Sequence, residues 1–540
     1  MIRKLLCKID SISIAALMVA LSSLLSRFLG IFRDRILGSE FGLGDTLDIY
    51  FAAFRVPDLI FNLIVLGALS AGFIPVFSQL LKKTSAKLNH QKEAWEVANI
   101  ILSILGLSLI LLSGFGILFA PFLTKLIAPG FDPEKMRITA NVTRIMFLSP
   151  IFLGISSILG GVLQSFKRFF IYSLAPIVYN VGIIFGALFL APVWGVYGLA
   201  YGVVLGAFFH MFIQVPTVYN LGLRFRLSFN FKDKNVLKIA TMMLPRTLSL
   251  AVGQFNLLVI TVIASTMNSG SLSVFNYANN LQTFPVGIFG ISFAIAAFPT
   301  LSAIAFDKKK LVSSFSSTFR KILFFVVPST ILLLTLRAQI VRVVFGAGSF
   351  DWQDTLLTME TLKYFVISLF AQATIPLLVR VFYARHNSST PFFVGLVSAI
   401  INVFLSFYLG KRMGVAGLAL AFSISNIINF VLLWIILKLE IGYMNEMRIL
   451  ISTIKFSISA IAAGLTVQGA KLIVWPYIDM TTTLGVFIQG FFAGISGLTV
   501  YIAYSALLKS EELFDFWSSI KRRFHGKKID TGDRGEARGI

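Results

Sequence analysis

Residues 12–35 read ISIAALMVALSSLLSRFLGIFRDR, an apolar run over 12–32 that holds one charge, Arg27, and ends on Arg33, Asp34 and Arg35. A bilayer core about 30 Å thick is crossed by about 20 apolar residues in a helix, so this run is long enough to span. Its arginine is the anomaly. At bilayer depth such a charge costs about 2.5–3.5 kcal/mol on insertion scales, and it needs a partner or a watery cavity.

The same kind of run recurs along the chain. Six more are read at 47–80, 94–119, 138–166, 171–190, 195–219 and 236–264. Seven follow at 272–305, 311–344, 356–383, 392–409, 414–437, 449–470 and 484–507, which makes fourteen expected transmembrane helices. The runs holding Pro57, Pro75, Pro285 and Pro299 exceed spanning length and are expected to be kinked or tilted. Composition agrees with this class: 57% of the 540 residues are hydrophobic and 13% are charged, against about 25% charged in soluble chains. A chain so apolar must place its surplus in lipid. The expected fold class is all-α integral membrane.

The formal charge of +23 invites a nucleic-acid reading. Position argues against it, because the cations sit in short segments between apolar runs. They alternate with the runs. One set of connections holds Arg3, Lys4 and Lys8, then Lys82, Lys83, Lys87 and Lys92, Lys167 and Arg168, Arg224 to Lys238, and Lys308 to Lys310. Arg385, Lys438, Arg448 and the cluster Lys521 to Lys528 continue it, whereas the opposite side has fewer, chiefly Arg33, Arg35, Lys125, Lys135, Arg137, Lys411, Arg412 and Lys471. The bias places both termini in the cytoplasm. The first run lacks a small-x-small cleavage site, so an uncleaved helix is expected in place of a signal peptide. From Lys509 onward the chain turns polar and reads as a disordered basic tail.

Several chemistries lack their residues. Cys7 is alone, and His90, His210, His386 and His525 are scattered, so neither a disulfide nor a zinc cluster is expected. There is no GxxxxGK[ST] stretch for a nucleotide. No cofactor is expected, and energy should come from the membrane potential or from an ion gradient.

Two segments echo each other. Gly195-Val-Tyr-Gly-Leu-Ala200 resembles Gly414-Val-Ala-Gly-Leu-Ala419, and Ile74-Pro75-Val-Phe-Ser78 resembles Phe298-Pro299-Thr-Leu-Ser302. A looser echo pairs Lys167-Arg168 with Arg385-His386. Similar spacings in the same order suggest two pseudo-symmetric six-helix lobes, 1–222 and 223–440, related by an axis along the membrane normal. Helices 13 and 14 occupy 441–508, and the basic cytoplasmic tail 509–540.

Polar residues concentrate on the first two helices. Beside Arg27, Arg33 and Asp34, the second run carries Asp48, Arg55, Asp58 and Asn62 at i, i+7, i+10 and i+14, which keeps them on one face. Such a stripe should line an interior cleft. Arg27 read alone is also compatible with snorkelling to the headgroups, and Arg55 with Asp58 is also compatible with a structural ion pair. Arg144, Arg246, Lys363 and Arg380 lie in or at the edge of other runs and read chiefly as snorkelling charges. An excess of arginine favours an anionic ligand, since guanidinium forks match phosphate oxygens.

The stretches SRFLGIFRD (26–34), DIYFAAFRVPD (48–58) and GALSAGFIPVF (67–77), with FPVG (284–287), FPTLS (298–302) and YARHNSSTP (383–391), carry a further likeness. Through them the chain resembles the MurJ (MviN-type) lipid II flippases of the multidrug/oligosaccharidyl-lipid/polysaccharide exporter superfamily. The resemblance implies two six-helix lobes around a cationic cavity and two C-terminal helices that cradle a lipid tail. It implies a monomeric, multi-pass protein of the bacterial inner membrane that moves a lipid-linked precursor with an undecaprenyl-pyrophosphate headgroup from the inner to the outer leaflet. By position Arg27 and Arg33 match the family's cavity arginines, and Asp34 and Asp48 match acidic positions. Two further arginines of the family correspond here to Phe61 and Asn280, and the seventh helix reads Gln254-Phe-Asn-Leu-Leu-Val-Ile260 without an acid for a sodium site. The expected substrate-binding set is therefore Arg27, Arg33, Asp34, Asp48, Arg55, Asp58, Asn62 and Asn280. The rivals are an exporter of another polyprenyl-linked saccharide or of a cationic drug, a non-transporting scaffold, and a membrane glycosyltransferase. The last needs a folded extramembrane loop that no connection is long enough to supply, so no enzyme is expected.

Overall fold

The computed structural model describes residues 12–66, 72–83 and 89–524, with side chains throughout except at 12–20, 66, 82–83, 89–91, 244–246, 248–249, 519–520 and 522–524. Cys7, the basic residues of the first ten positions, residues 67–71, Lys87 and the tail from His525 lie outside the described residues, as does the side chain of Arg246. Among the described residues every regular element is helical. Among the described residues ten helices are long and apolar enough to cross a membrane, and eleven if Trp352–Val366 and Leu369–Ala384, bent by 47°, form one span. The expected count is fourteen. The three further runs are helical at Ile12–Phe41, at Asp45–Ile60 and at Lys234–Ser265, the last of which counts as apolar only over Leu250–Ser265.

Two compact units are present. One comprises Met1–Gln282, Ile340–Phe365 and Phe392–Asn429, and the other Thr283–Gln339, Val366–Pro391 and Phe430–Ile540. These units follow packing, whereas the six-helix halves follow internal similarity, and the two divisions do not coincide.

Of the four prolines expected to mark kinks or tilt, Pro57 and Pro285 are followed by irregular geometry, whereas Pro75 and Pro299 lie within α-helices Ile74–Lys83 and Ser292–Ala303. Pro57 precedes a π segment at Phe61–Leu66, and Pro285 precedes another at Val286–Ile291.

In the first unit, helix Phe169–Phe185 lies backbone to backbone on helix Val196–Phe212. A Cβ on Gly182 would collide with Gly206, and one on Gly186 with Gly202. Small residues four apart let two helices approach closely in lipid, where packing replaces the hydrophobic effect as the driving force.

The glycines of the sequence echo occupy matching corners. Gly195 (φ 57°) and Gly414 (φ 60°) each donate their N–H to a carbonyl four residues back, of Ala191 and Gly410, and each opens the next helix. Left-handed φ favours glycine at both positions. Three residues on, a Cβ at Gly198 or Gly417 would collide with the backbone of Leu190 or Leu409. The looser echo also has a structural basis, in a shifted register. Lys167 (φ 59°) and His386 (φ 61°) are the matching left-handed residues, with the same separation along the chain as the two glycine corners. Lys167 therefore pairs with His386 and not with Arg385.

In the second unit the expectation of a disordered tail fails over Glu511–Phe524, which is helical. Arg320, buried within helix Lys308–Thr335, pairs with Glu512 and with Glu511 at 3.1 Å, and also donates to Ser452. Arg448 pairs with Glu511 at 2.7 Å and Lys321 with Asp515 at 3.6 Å. Arg448 and Arg320 hold the Glu511 carboxyl below its ordinary range. A depressed carboxylate contributes its full share above about pH 4.3 and loses it as pH falls through the lowered value. Amide exchange over 511–524, corrected for intrinsic rate, is therefore expected to stay constant from about pH 8 to 5 and to accelerate below about pH 4.

Candidate substrate-binding site

The polar residues of the first two helices gather partners from four other elements of the first unit. Three groups result.

The first centres on Arg33 and Asp34. The Arg33 guanidinium donates from Nε (3.0 Å) and Nη2 (2.8 Å) to Asp34 Oδ1, and from Nη1 to Asn180 Oδ1 at 3.2 Å. Asn180 comes from helix Phe169–Phe185, which packs along Ile12–Phe41, and its amide nitrogen donates to Pro176 O at 3.0 Å. The other Asp34 oxygen accepts from Asn280 Nδ2 at 2.8 Å, and the Asp34 carbonyl accepts from the buried Tyr277 hydroxyl at 2.7 Å. The Asp34 side chain is 3% exposed and that of Arg33 23%. Five donors in a planar fork leave some N–H capacity for a second anion.

The second group surrounds Asp48. Its Oδ1 accepts from Ser273 N (2.9 Å) and Ser273 Oγ (2.8 Å), and its Oδ2 from Gly270 N (2.8 Å) and Lys135 Nζ (3.3 Å). The carboxylate sits at the N-terminus of helix Ser271–Pro285, where free N–H groups and the helix dipole favour an anion. Lys135 also pairs with Asp45 at 2.6 Å and lies 4.0 Å from the centre of the Phe131 ring. Asp48 is thus fully engaged with protein groups, and it stands in a group separate from Arg33.

The third group is Arg55 with Thr261 Oγ1 (2.8 Å) and Asn276 Oδ1 (2.9 Å). The reading of Arg55 with Asp58 as an ion pair does not hold: among the described residues no pairing within 4 Å joins them. Asn62 is half-buried in the π segment that follows. The Thr261 hydroxyl is fully buried, so Thr261→Val should lower stability by about 1.5–3 kcal/mol, the range for a hydrogen bond to a charged group. Thermal unfolding of the purified chain measures it; no loss means that Asn276 alone holds the guanidinium.

Arg27 differs from all of these. It is exposed, and among the described residues it makes no hydrogen bond or ion pair. It precedes Arg33 by six residues, about 9 Å along the helix axis. The remaining sequence candidates find local partners: Arg144 with Asn141, Lys363 with Glu360 and Arg380 with Pro376 O.

Sequence reasoning passed over Asn180, Tyr277, Asn276, Thr261 and Lys135. Two signals were available. Asn276 and Asn280 stand at i, i+4 beside Tyr277, a polar stripe of the kind read on the second helix. Lys135 lies in the first turn of helix Pro133–Met146, capped by Asp132, where the dipole disfavours a cation and an acidic partner is required.

A family model described as Lipid II flippase MurJ matches residues 37–487. Asp48, Arg55, Asp58, Asn62 and Asn280 fall within the match, and Arg27, Arg33 and Asp34 precede it. A probable lipid II flippase MurJ of Buchnera aphidicola subsp. Acyrthosiphon pisum (strain APS) is 31% identical over 431 residues, 77% of this chain and 81% of the relative. One from Thermotoga maritima is 29% identical over 508 residues, 92% of this chain and 96% of the relative. Among solved structures, a lipid II flippase MurJ in an inward closed conformation superposes with a TM-score of 0.75 at 22% identity, covering 94% of this chain and all of the other. An inward-facing multidrug resistance MATE family transporter of the MOP superfamily gives 0.64 at 14% identity, covering 80% and 99%. Both are likenesses of fold.

Proposed function

The chain belongs to the lipid II flippase MurJ family, and from that premise we propose that it carries lipid II from the inner to the outer leaflet of a bacterial inner membrane by alternating access. Arg27 and Arg33 engage the pyrophosphate, and Asp34 with Asn180 and Asn280 holds Arg33 in position. The observation that carries this reading is the contrast on one helix between a fixed guanidinium and an exposed one without protein partners. A fixed fork sets the orientation of a phosphate group, and a free one adapts as the substrate moves.

The full reading has fourteen spans, two six-helix lobes, both termini in the cytoplasm and a monomeric chain. The alternation of basic connections supports the orientation, and the paired glycine corners support the lobes. Energy comes from the membrane potential, worth about 2.3 kcal/mol per elementary charge per 100 mV, or from a monovalent ion gradient. A second reading, export of another polyprenyl-pyrophosphate-linked saccharide, is favoured by Phe61 and Asn280, which stand where the family places arginines.

Complementation separates the two. Expressed in cells depleted of their own lipid II flippase, the chain should restore growth and clear lipid II from the inner leaflet. If growth fails while the chain is present in the membrane, the second reading replaces the first.

A further inference from the structure

Between helices Val215–Asn220 and Lys234–Ser265 a stretch without regular secondary structure alternates in sequence: Leu223, Phe225, Leu227 and Phe229 are apolar, and Arg224, Arg226, Ser228 and Asn230 are polar between them. This strap is pinned to helix Asn89–Leu118. Asn99 donates to Arg224 O (3.0 Å) and accepts from Arg226 N (3.2 Å), and Ser103 Oγ accepts from Ser228 N (3.1 Å). Its apolar edge forms one wall of a groove of about 390 Å³, whose other walls include Gly106, Leu107, Leu159 and Tyr219. Phe225 is 62% exposed and Leu227 72%, an apolar edge that water would not tolerate.

We propose that this groove binds one acyl chain of an anionic glycerophospholipid of the cytoplasmic leaflet, with Arg226 meeting the lipid phosphate. The groove is apolar, and Arg224 and Arg226 alternate in sequence with its lining residues Leu223, Phe225 and Leu227. Arg224 lies 3.7 Å over the Tyr219 ring and donates to Tyr219 O at 2.7 Å, so it shapes the groove wall. The Arg226 guanidinium makes no hydrogen bond among the described residues, and its side chain is exposed. Lys232, Lys234 and Lys238 follow on the side that the basic connections mark as cytoplasmic. Charge complementarity therefore selects an anionic headgroup over a zwitterionic one, and a lipid over a free phosphate, because only a lipid fills the apolar part.

Native mass spectrometry of the full chain, equilibrated with phosphatidylglycerol or phosphatidylcholine, tests this. The wild type should retain phosphatidylglycerol about fivefold better, the ratio that one cation near an anionic lipid surface supplies. Arg226→Gln should abolish the preference while lipid of either kind still binds. A Cβ on Gly106 meets nothing within 4 Å, so Gly106→Phe should fill the groove without disturbing the helix and remove bound lipid of both kinds; Gly106→Leu is the milder second variant. Equal retention of the two lipids by the wild type, or phosphatidylglycerol retention that survives both Gly106 variants, overturns the proposal. So does a lipid-linked precursor that occupies the groove in place of phospholipid.

Discussion

Arg27→Ala is expected to reach the membrane in wild-type amount, to unfold at the same temperature or higher, and to translocate lipid II at least tenfold more slowly. The fold loses nothing when this side chain goes. Arg27 is exposed, has no hydrogen-bond or ion-pair partner among the described residues, and sits inside helix Ile12–Phe41, where alanine is the better helix former. Removing it also relieves the cost of a charge at depth, about 2.5–3.5 kcal/mol on insertion scales. Transport should suffer because a charge-assisted hydrogen bond to phosphate is worth about 1.5–3 kcal/mol, which corresponds to about 10- to 100-fold in rate or affinity. Arg33→Ala is the less informative change. It strips the counter-ion from Asp34, 3% exposed, and an uncompensated buried charge costs about 3–5 kcal/mol in folding alone. A flipping assay in vesicles reconstituted with equal amounts of protein reads the Arg27 effect directly. Unchanged flipping removes this residue from the substrate path.

Asp48→Ala is expected to cost about 3–5 kcal/mol of stability, and Lys135→Ala distinctly less, although the two residues form one ion pair. The asymmetry follows from what each leaves behind. Without Asp48, Gly270 N, Ser273 N and the Ser273 hydroxyl lose their acceptor at the start of a helix, and Lys135 retains the Phe131 ring and Asp45, which is 61% exposed. Without Lys135, the Asp48 carboxylate still accepts three hydrogen bonds and still meets the helix dipole. Asp48→Asn combined with Lys135→Met should recover part of the loss, because no unpaired charge then remains buried. Thermal unfolding of Asp48→Asn, of Lys135→Met and of the two combined gives the coupling. If Asp48→Ala costs no more than Lys135→Ala, the carboxylate is not the cap described here.

Much of the architecture was legible because it rests on local rules. Apolar runs give spans, and Pro57 and Pro285 mark where the backbone widens into π turns. The Gly195 and Gly414 motif recurs because left-handed φ and close backbone approach both require glycine. Long-range pairing was not legible. The second helix displays Asp48, Arg55, Asp58 and Asn62 on one face, but helical period does not say that Asp48 meets Lys135 and Ser273 while Arg55 turns to Thr261 and Asn276. The tail was misread for a different reason. Glu511 and Glu512 in a first turn, followed by Phe514, Phe516 and Trp517, are a helix-start pattern that the glycines and charges beyond His525 outweighed. Arg320 was hidden in an apolar run whose sequence gives no hint of acidic partners so far along the chain.

The glycine seam between helices Phe169–Phe185 and Val196–Phe212 bears on how Arg33 is held. Backbones approach closely at Gly182 and Gly206, and at Gly202 and Gly186, the first residue of the π segment Gly186–Leu190, so the two helices have little room to slide at these points. Asn180, which fixes Arg33, lies two residues before the first of these contacts. The guanidinium is thus attached, through Asn180, beside a close backbone contact. On its other flank Asp34 is held by Asn280 and by Tyr277, a buried ring packed against Phe51, Phe345 and Phe350, so a passing headgroup meets a charge pair braced from both sides.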